Sequence, residues 1–245
     1  MWTSVSEEMG SCQSTLLNYM TSLSLAFTNS RRNEIFTFFE LLKHSQNKKI
    51  LIDFIGLINS NVEIEQVDKF VDDFYVKRKI DIEKIISETE FAWNKKRFFF
   101  ERQINELFSF SFKKSVSAMP SIWPIYGRFF QKNLVTFPYD KKLDERLFVI
   151  VHEILHLVFY EYISTKYKFS EEKILSQEVW VFSEIINVLI QNKADWFNEF
   201  KVRAVPYTEH LLIYEKMSVD WKRKNDVDYL IKKFLISNKE MANMV

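Results

Sequence analysis

Three glycines and four prolines in 245 residues constrain this chain more than any other feature of its sequence. Glycine breaks helices through backbone freedom, and proline through a missing N–H and a ring clash. A chain so poor in both is expected to be rich in helix. Its length fits one large domain or two small ones. With 47% hydrophobic residues, including 24 Phe, it has ample material for a core without a disulfide. Its single cysteine, Cys12, permits no intrachain bridge, which suits a reducing compartment.

The charges nearly cancel, 34 basic against 33 acidic. The clusters Lys48-Lys49, Lys95-Lys96-Arg97 and Lys222-Arg223-Lys224 are short and read as solvated helix faces, so no nucleic-acid partner is expected. The N-terminus carries Glu7 and Glu8 rather than a basic run, and does not read as a signal peptide. No stretch of about 18 residues is uninterruptedly apolar, so no membrane span is expected and the default location is cytoplasmic.

Helical periodicity covers residues 13–44, with an interruption at Asn29-Ser30, and residues 48–59, ended by Asn59-Ser60-Asn61. It resumes from Glu65 to about Phe112, with a break near Lys79–Asp81. The run Phe98-Phe99-Phe100 reads as core or inter-helix packing. Between 113 and 139 the texture changes to SVSAMP, IWPIYGRFF and LVTFPY, which predicts three short strands in an antiparallel meander, with Pro124 placing the middle one at an edge or a bulge. A strong helix is predicted over 141–163, capped by Asp140 or Asp144. It is apolar on nearly every side from Leu147 to Tyr160, as befits a helix in the centre of a domain. Ser170-Glu171-Glu172 opens another helix to about Gln191, and after Pro206 two more follow, about 207–217 and 226–241. The expected fold is mainly α with a small antiparallel β-sheet. A helical N-terminal region, 1–112, would precede an α+β region, 113–245, that carries the chemistry.

The chemistry lies in His152-Glu153-Ile154-Leu155-His156. Residues four apart on a helix point the same way, so both imidazoles can meet one ion. Glu153, beside the first, can reach a metal-bound water as a general base. The chain has only four histidines, His44, His152, His156 and His210. Two of them and a glutamate inside a Leu/Val/Ile/Phe helix are costly to bury unless something satisfies them, and a metal would. The plainer reading is a pair of hydrogen-bonded core histidines with a paired glutamate.

This segment resembles the active-site helix of the zincin metallopeptidases, in which two histidines bind zinc and the glutamate activates water. The metzincin branch is excluded, because Phe159 and Tyr162 stand where it needs glycine and a third histidine. What remains resembles the gluzincins, which take a glutamate from a following helix as third ligand. Glu184 and Glu178 are the candidates. The string Trp180-Val181-Phe182-Ser183-Glu184 is similar to the Trp…Ser/Asn-Glu pattern of several such families and favours Glu184. The resemblance implies zinc with an open fourth position, and an oxyanion donor after Pro206, with His210 preferred to Tyr207 and then Tyr214. It implies an antiparallel edge strand for an extended peptide, for which Leu134–Tyr139 is the candidate, with plain structural support as the equal alternative. Asn187, near Glu184, is expected to support a ligand by hydrogen bonding.

The leading expectation is thus a zinc-dependent peptidase acting on a peptide or protein. A zincin-like regulatory or interaction protein with a structural or vestigial metal site is the alternative, and a helical partner-binding module without metal is a third.

Overall fold

A computed structural model describes residues 23–57 and 62–237. Cys12, residues 13–22, Asn59-Ser60-Asn61 and the end of the last expected helix lie outside them. The order is β1 (Ser24–Phe27), α1 (Arg31–Leu42), α2 (Ser45–Ile55), α3 (Ile64–Arg78), α4 (Ile82–Phe108), β2 (Ser115–Ser121), β3 (Arg128–Phe129), β4 (Leu134–Pro138), α5 (Leu143–Tyr167), α6 (Glu171–Ile174), α7 (Gln177–Gln191), α8 (Ala194–Phe200), α9 (Leu211–Lys224) and α10 (Val227–Leu230), the last continuing as a π-type turn.

The protein is mainly helical with a small sheet, as its composition predicts. So few glycines leave the helix ends to other residues. Gly56 caps α2 at a φ of 73°, but Lys79, Ser109, Lys168, Lys201 and Asn225 take the same left-handed conformation after α3, α4, α5, α8 and α9. A left-handed residue other than glycine costs about 1–2 kcal/mol. The break at Lys79 falls where the sequence places it. Lys142, rather than Asp140 or Asp144, is the N-cap of α5, and its backbone N–H donates to Glu145 Oε2 at 3.2 Å. The single helix expected from Ser170 to Gln191 is two, because Ser176 starts a second one by accepting from the Val179 N–H.

The sheet departs from the expected meander. Its order is β1-β2-β4-β3, with β1 parallel to β2, β2 parallel to β4, and only β3 antiparallel to β4. Pro124 lies in the loop between β2 and β3 rather than in a strand. Every residue of β4 is buried, and its side chains alternate between two cores. Val135 and Phe137 join Val116 and Ala118 against α4, α5, α7 and the C-terminal helices. Leu134 faces the other way with Met119, Trp123 and Phe129, against α1, α2 and α3. A strand covered on both faces reads as a continuous apolar run, which is the mark of parallel pairing. Residues 82–112 therefore share the core of the motif helix α5, whereas α1 to α3 build a core of their own. β1, inside a stretch read as helical, is a strand because its backbone pairs with β2, some ninety residues on.

In length and mean hydropathy (1.5) α5 would suit a membrane, but 72% of its apolar stretch is buried within the protein, so the core accounts for that apolarity. Of the aromatic run, Phe100 is buried, Phe99 packs edge-on to Trp196, and Phe98 is exposed.

One buried carboxylate joins the smaller core to the sheet. Glu34 on α1, 1% exposed, accepts hydrogen bonds from Tyr75 Oη (3.0 Å), the Ile122 N–H (3.1 Å) and Ser121 Oγ (3.1 Å). Burial pushes its pKa up to about 7, against these hydrogen bonds. A carboxyl group raised in the folded state binds more protons folded than unfolded between about 4.5 and 7. Its stabilisation is present at low pH and is lost as pH rises through that window. Denaturant unfolding across pH 5–8 is expected to show this decline in the wild type and a flatter profile in Glu34→Gln. Identical slopes would reject the assignment.

Candidate metal centre

Helices α5 and α7 lie side by side and build the site between them. α5 presents His152, Glu153, His156 and Tyr160; α7 presents Ser183, Glu184, Asn187 and Gln191. On α7 the residues 184, 187 and 191 repeat at helical spacing within an otherwise apolar, buried helix, so their side chains share the face turned to α5.

These neighbours set both histidine tautomers, by the logic of the hydrogen-bond network. Gln191 donates its amide to the Phe148 carbonyl at 3.3 Å, which leaves its Oε1 to accept from His152 Nδ1 at 2.8 Å. Ser183 donates to the Trp180 carbonyl at 2.7 Å, so its oxygen accepts from His156 Nδ1 at 3.0 Å. Each ring holds its Nδ1 proton outward and turns Nε2 to the common centre. Asn187 Nδ2 donates to the His152 backbone carbonyl at 3.0 Å rather than to a ligand atom.

The two Nε2 atoms are 3.2 Å apart. His152 Nε2 lies 3.2 Å from Glu184 Oε2, and His156 Nε2 lies 3.2 Å from Glu184 Oε1. Two imidazole nitrogens and both oxygens of one carboxylate thus meet at these separations. Ligands about 2.0–2.1 Å from a tetrahedral ion lie about 3.3 Å apart, close to the spacing found here. His152, His156 and Glu184 thus form a largely buried group that could hold a metal ion. Glu178 is elsewhere, ion-paired with Lys173, so of the two glutamates only Glu184 joins the group.

Burial lowers the His152 pKa, but the hydrogen bond to Glu184 and the charges of Glu153 and Glu184 more than reverse this, and the net direction is upward. His156, fully buried and facing Arg128, is lowered to about 3 and stays neutral. Burial raises Glu184, yet the two imidazoles hold it well below the usual carboxylate range.

Glu153 sits beside the group, 6% exposed, and its Oε2 has no hydrogen-bond partner. Burial raises its pKa, with His152 and Arg128 opposing. Arg128, from the edge strand β3, is within ion-pair distance of both carboxylates, 3.6 Å from Glu153 Oε2 and 3.8 Å from Glu184 Oε1. It also donates to Tyr160 Oη at 2.8 Å, and Tyr160 bonds Ser183 at 3.1 Å. Sequence reasoning missed Ser183 as a histidine partner, Gln191, Tyr160 and Arg128. The first two were open to it as polar residues on a helix that is apolar elsewhere. Arg128 gave no local signal.

A pocket opens on His152 and Glu184. Its walls are largely apolar, with Phe148, Ile185, Val188 and Pro206, and both Tyr207 and His210 line it. His210 is buried with its Nδ1 unpaired, its ring packed on Trp180 and Tyr207. Tyr207 is half exposed; burial and the nearby Glu184 and Glu153 push its pKa to about 12, so its hydroxyl remains a donor. The strand expected to bind peptide, Leu134–Tyr139, is interior, paired by β2 on one side and β3 on the other, so it presents no free edge; the strand that reaches the site is β3. In comparisons with protein-family models, with curated protein sequences and with solved structures, nothing matches the chain.

Proposed function

We propose that this protein is a zinc-dependent hydrolase, a peptidase resembling the gluzincin-like zincins, acting on peptide or protein substrates. One observation carries the reading: two imidazole nitrogens and a carboxylate converge at 3.2 Å spacing beside a buried glutamate oxygen with no hydrogen-bond partner. The donor set fits zinc, which favours imidazole and carboxylate in this number at catalytic sites, whereas a structural zinc takes four protein ligands. Among the described residues this group has three.

Zinc, when bound, would supply a Lewis acid that acidifies water and polarises a carbonyl. The chain's own groups do the rest. His152, His156 and Glu184 hold the ion, with Gln191 and Ser183 fixing the rings. Glu153 Oε2 takes the proton of the attacking water and later hands it to the leaving amine. Tyr207, kept protonated, and His210, with a free nitrogen, are placed along the pocket to donate to a developing oxyanion. The apolar walls suit a bulky apolar side chain next to the scissile bond.

The test is metal removal. After chelation, hydrolysis of a peptide mixture rich in apolar residues is expected to vanish, and to return with one equivalent of zinc. The melting temperature should fall by about 10 °C, since an ion at about a thousand times its Kd adds about 4 kcal/mol to a chain of this size. Full activity in verified metal-free protein would overturn the proposal.

A further inference from the structure

Two buried carboxylates face the metal group from neighbouring helices, Glu153 on α5 and Glu184 on α7, 6% and 5% exposed. Only one of them points at the histidines. The guanidinium of Arg128 lies close to both, with Nη1 3.6 Å from Glu153 Oε2 and 3.8 Å from Glu184 Oε1.

Other contacts hold that guanidinium in place. Nη2 donates to Tyr160 Oη at 2.8 Å, and the group lies 5.3 Å from the centre of the Tyr160 ring. Tyr160 is tied to Ser183, whose oxygen also accepts from His156. Glu153 Oε2, by contrast, accepts no hydrogen bond, and Arg128 is the cation within ion-pair distance of it among the described residues. A carboxylate beside such a site is itself a ligand type for zinc, at about 2.0–2.2 Å. Were Glu153 to coordinate, the metal would have four protein ligands and no open position, the pattern of a structural site.

We propose that Arg128 is a positioning residue that divides the two carboxylates, holding Glu153 out of the coordination sphere so that it remains a base and one metal position stays open. The inference rests on the hydrolase reading above and adds to it the reason why the site does not close on itself.

Cobalt(II) is the probe, because its visible absorption reports coordination number. It is titrated into the full chain as wild type, Arg128→Met, Arg128→Lys, and Arg128→Met combined with Glu153→Gln. In Arg128→Met the cobalt spectrum is expected to change and its affinity to rise about tenfold as a fourth ligand joins, a size typical of changes around a metal's ligands. kcat for peptide hydrolysis should fall by about 100-fold or more with KM within about threefold, as for a group that does not bind substrate. Arg128→Lys, which keeps the charge, should retain the wild-type spectrum and recover at least about a tenth of kcat. Adding Glu153→Gln to Arg128→Met should return spectrum and affinity towards wild type.

An unchanged spectrum and affinity in Arg128→Met would overturn the proposal. So would a change that persists with Glu153→Gln, since Glu153 would then not be the incoming ligand. Where Arg128→Met does not fold, Arg128→Gln, which can still reach Tyr160, carries the same comparison. A wild type that binds cobalt but cleaves no peptide defeats the hydrolase reading alone, and the cobalt spectra still decide the role of Arg128. A wild type that binds no cobalt defeats both.

Discussion

Glu153→Gln is expected to lower peptide hydrolysis by about 10³-fold, within the range that a positioned general base contributes. The amide has nearly the same shape, so it fits the same space on α5, but it cannot take a proton from water. Arg128 keeps Tyr160 and Glu184 as partners after the change. The metal ligands are untouched. Zinc content and melting temperature should therefore stay close to wild type while kcat collapses. Steady-state kinetics with elemental analysis on the same preparation makes the check. More than about a tenth of wild-type kcat in zinc-loaded Glu153→Gln would remove Glu153 from the mechanism.

Glu184→Gln is expected to abolish activity by another route, through loss of the metal. Changing a residue that only supports a ligand costs 10–100-fold in affinity, and Glu184 is itself one of three converging groups, so zinc binding should weaken by at least about 100-fold. An amide also brings two N–H donors where two imidazole nitrogens present lone pairs, at the 3.2 Å contacts that Glu184 now makes. Competition against a chromophoric chelator gives the affinity. In the wild type, burial lowers the His152 pKa but Glu184 and Glu153 raise it by more, so protons should compete with zinc and affinity should fall as pH is lowered. His156, held near 3, adds no competing proton in that range. Wild-type affinity for zinc in Glu184→Gln would show that the third ligand lies elsewhere, and Glu178, paired with Lys173, would have to be reconsidered.

The site was legible in unequal parts. His152, Glu153 and His156 could be read because helical spacing alone fixes which side chains share a face. Glu184 was separated from Glu178 by a resemblance, although α7 itself carries a signal for the face that meets α5. Asn187 and Gln191 lie on the same face as Glu184, and that polar stripe in a buried apolar helix was as informative as the motif. Arg128 was invisible: it comes from a two-residue strand whose place depends on pairing with β4.

Near-absence of glycine and proline, together with apolar periodicity, determined a helical protein with a buried central helix, because helix propensity and amphipathic spacing act over a few residues. The sheet was decided only by tertiary structure. β1 becomes a strand by pairing with β2 far along the chain, and β2 and β4 run parallel with a core packed on each face of the sheet. Backbone pairing and two-sided burial are properties of segments brought together, and no local pattern encodes them. The same holds for the guanidinium that lies close to both carboxylates of the metal site.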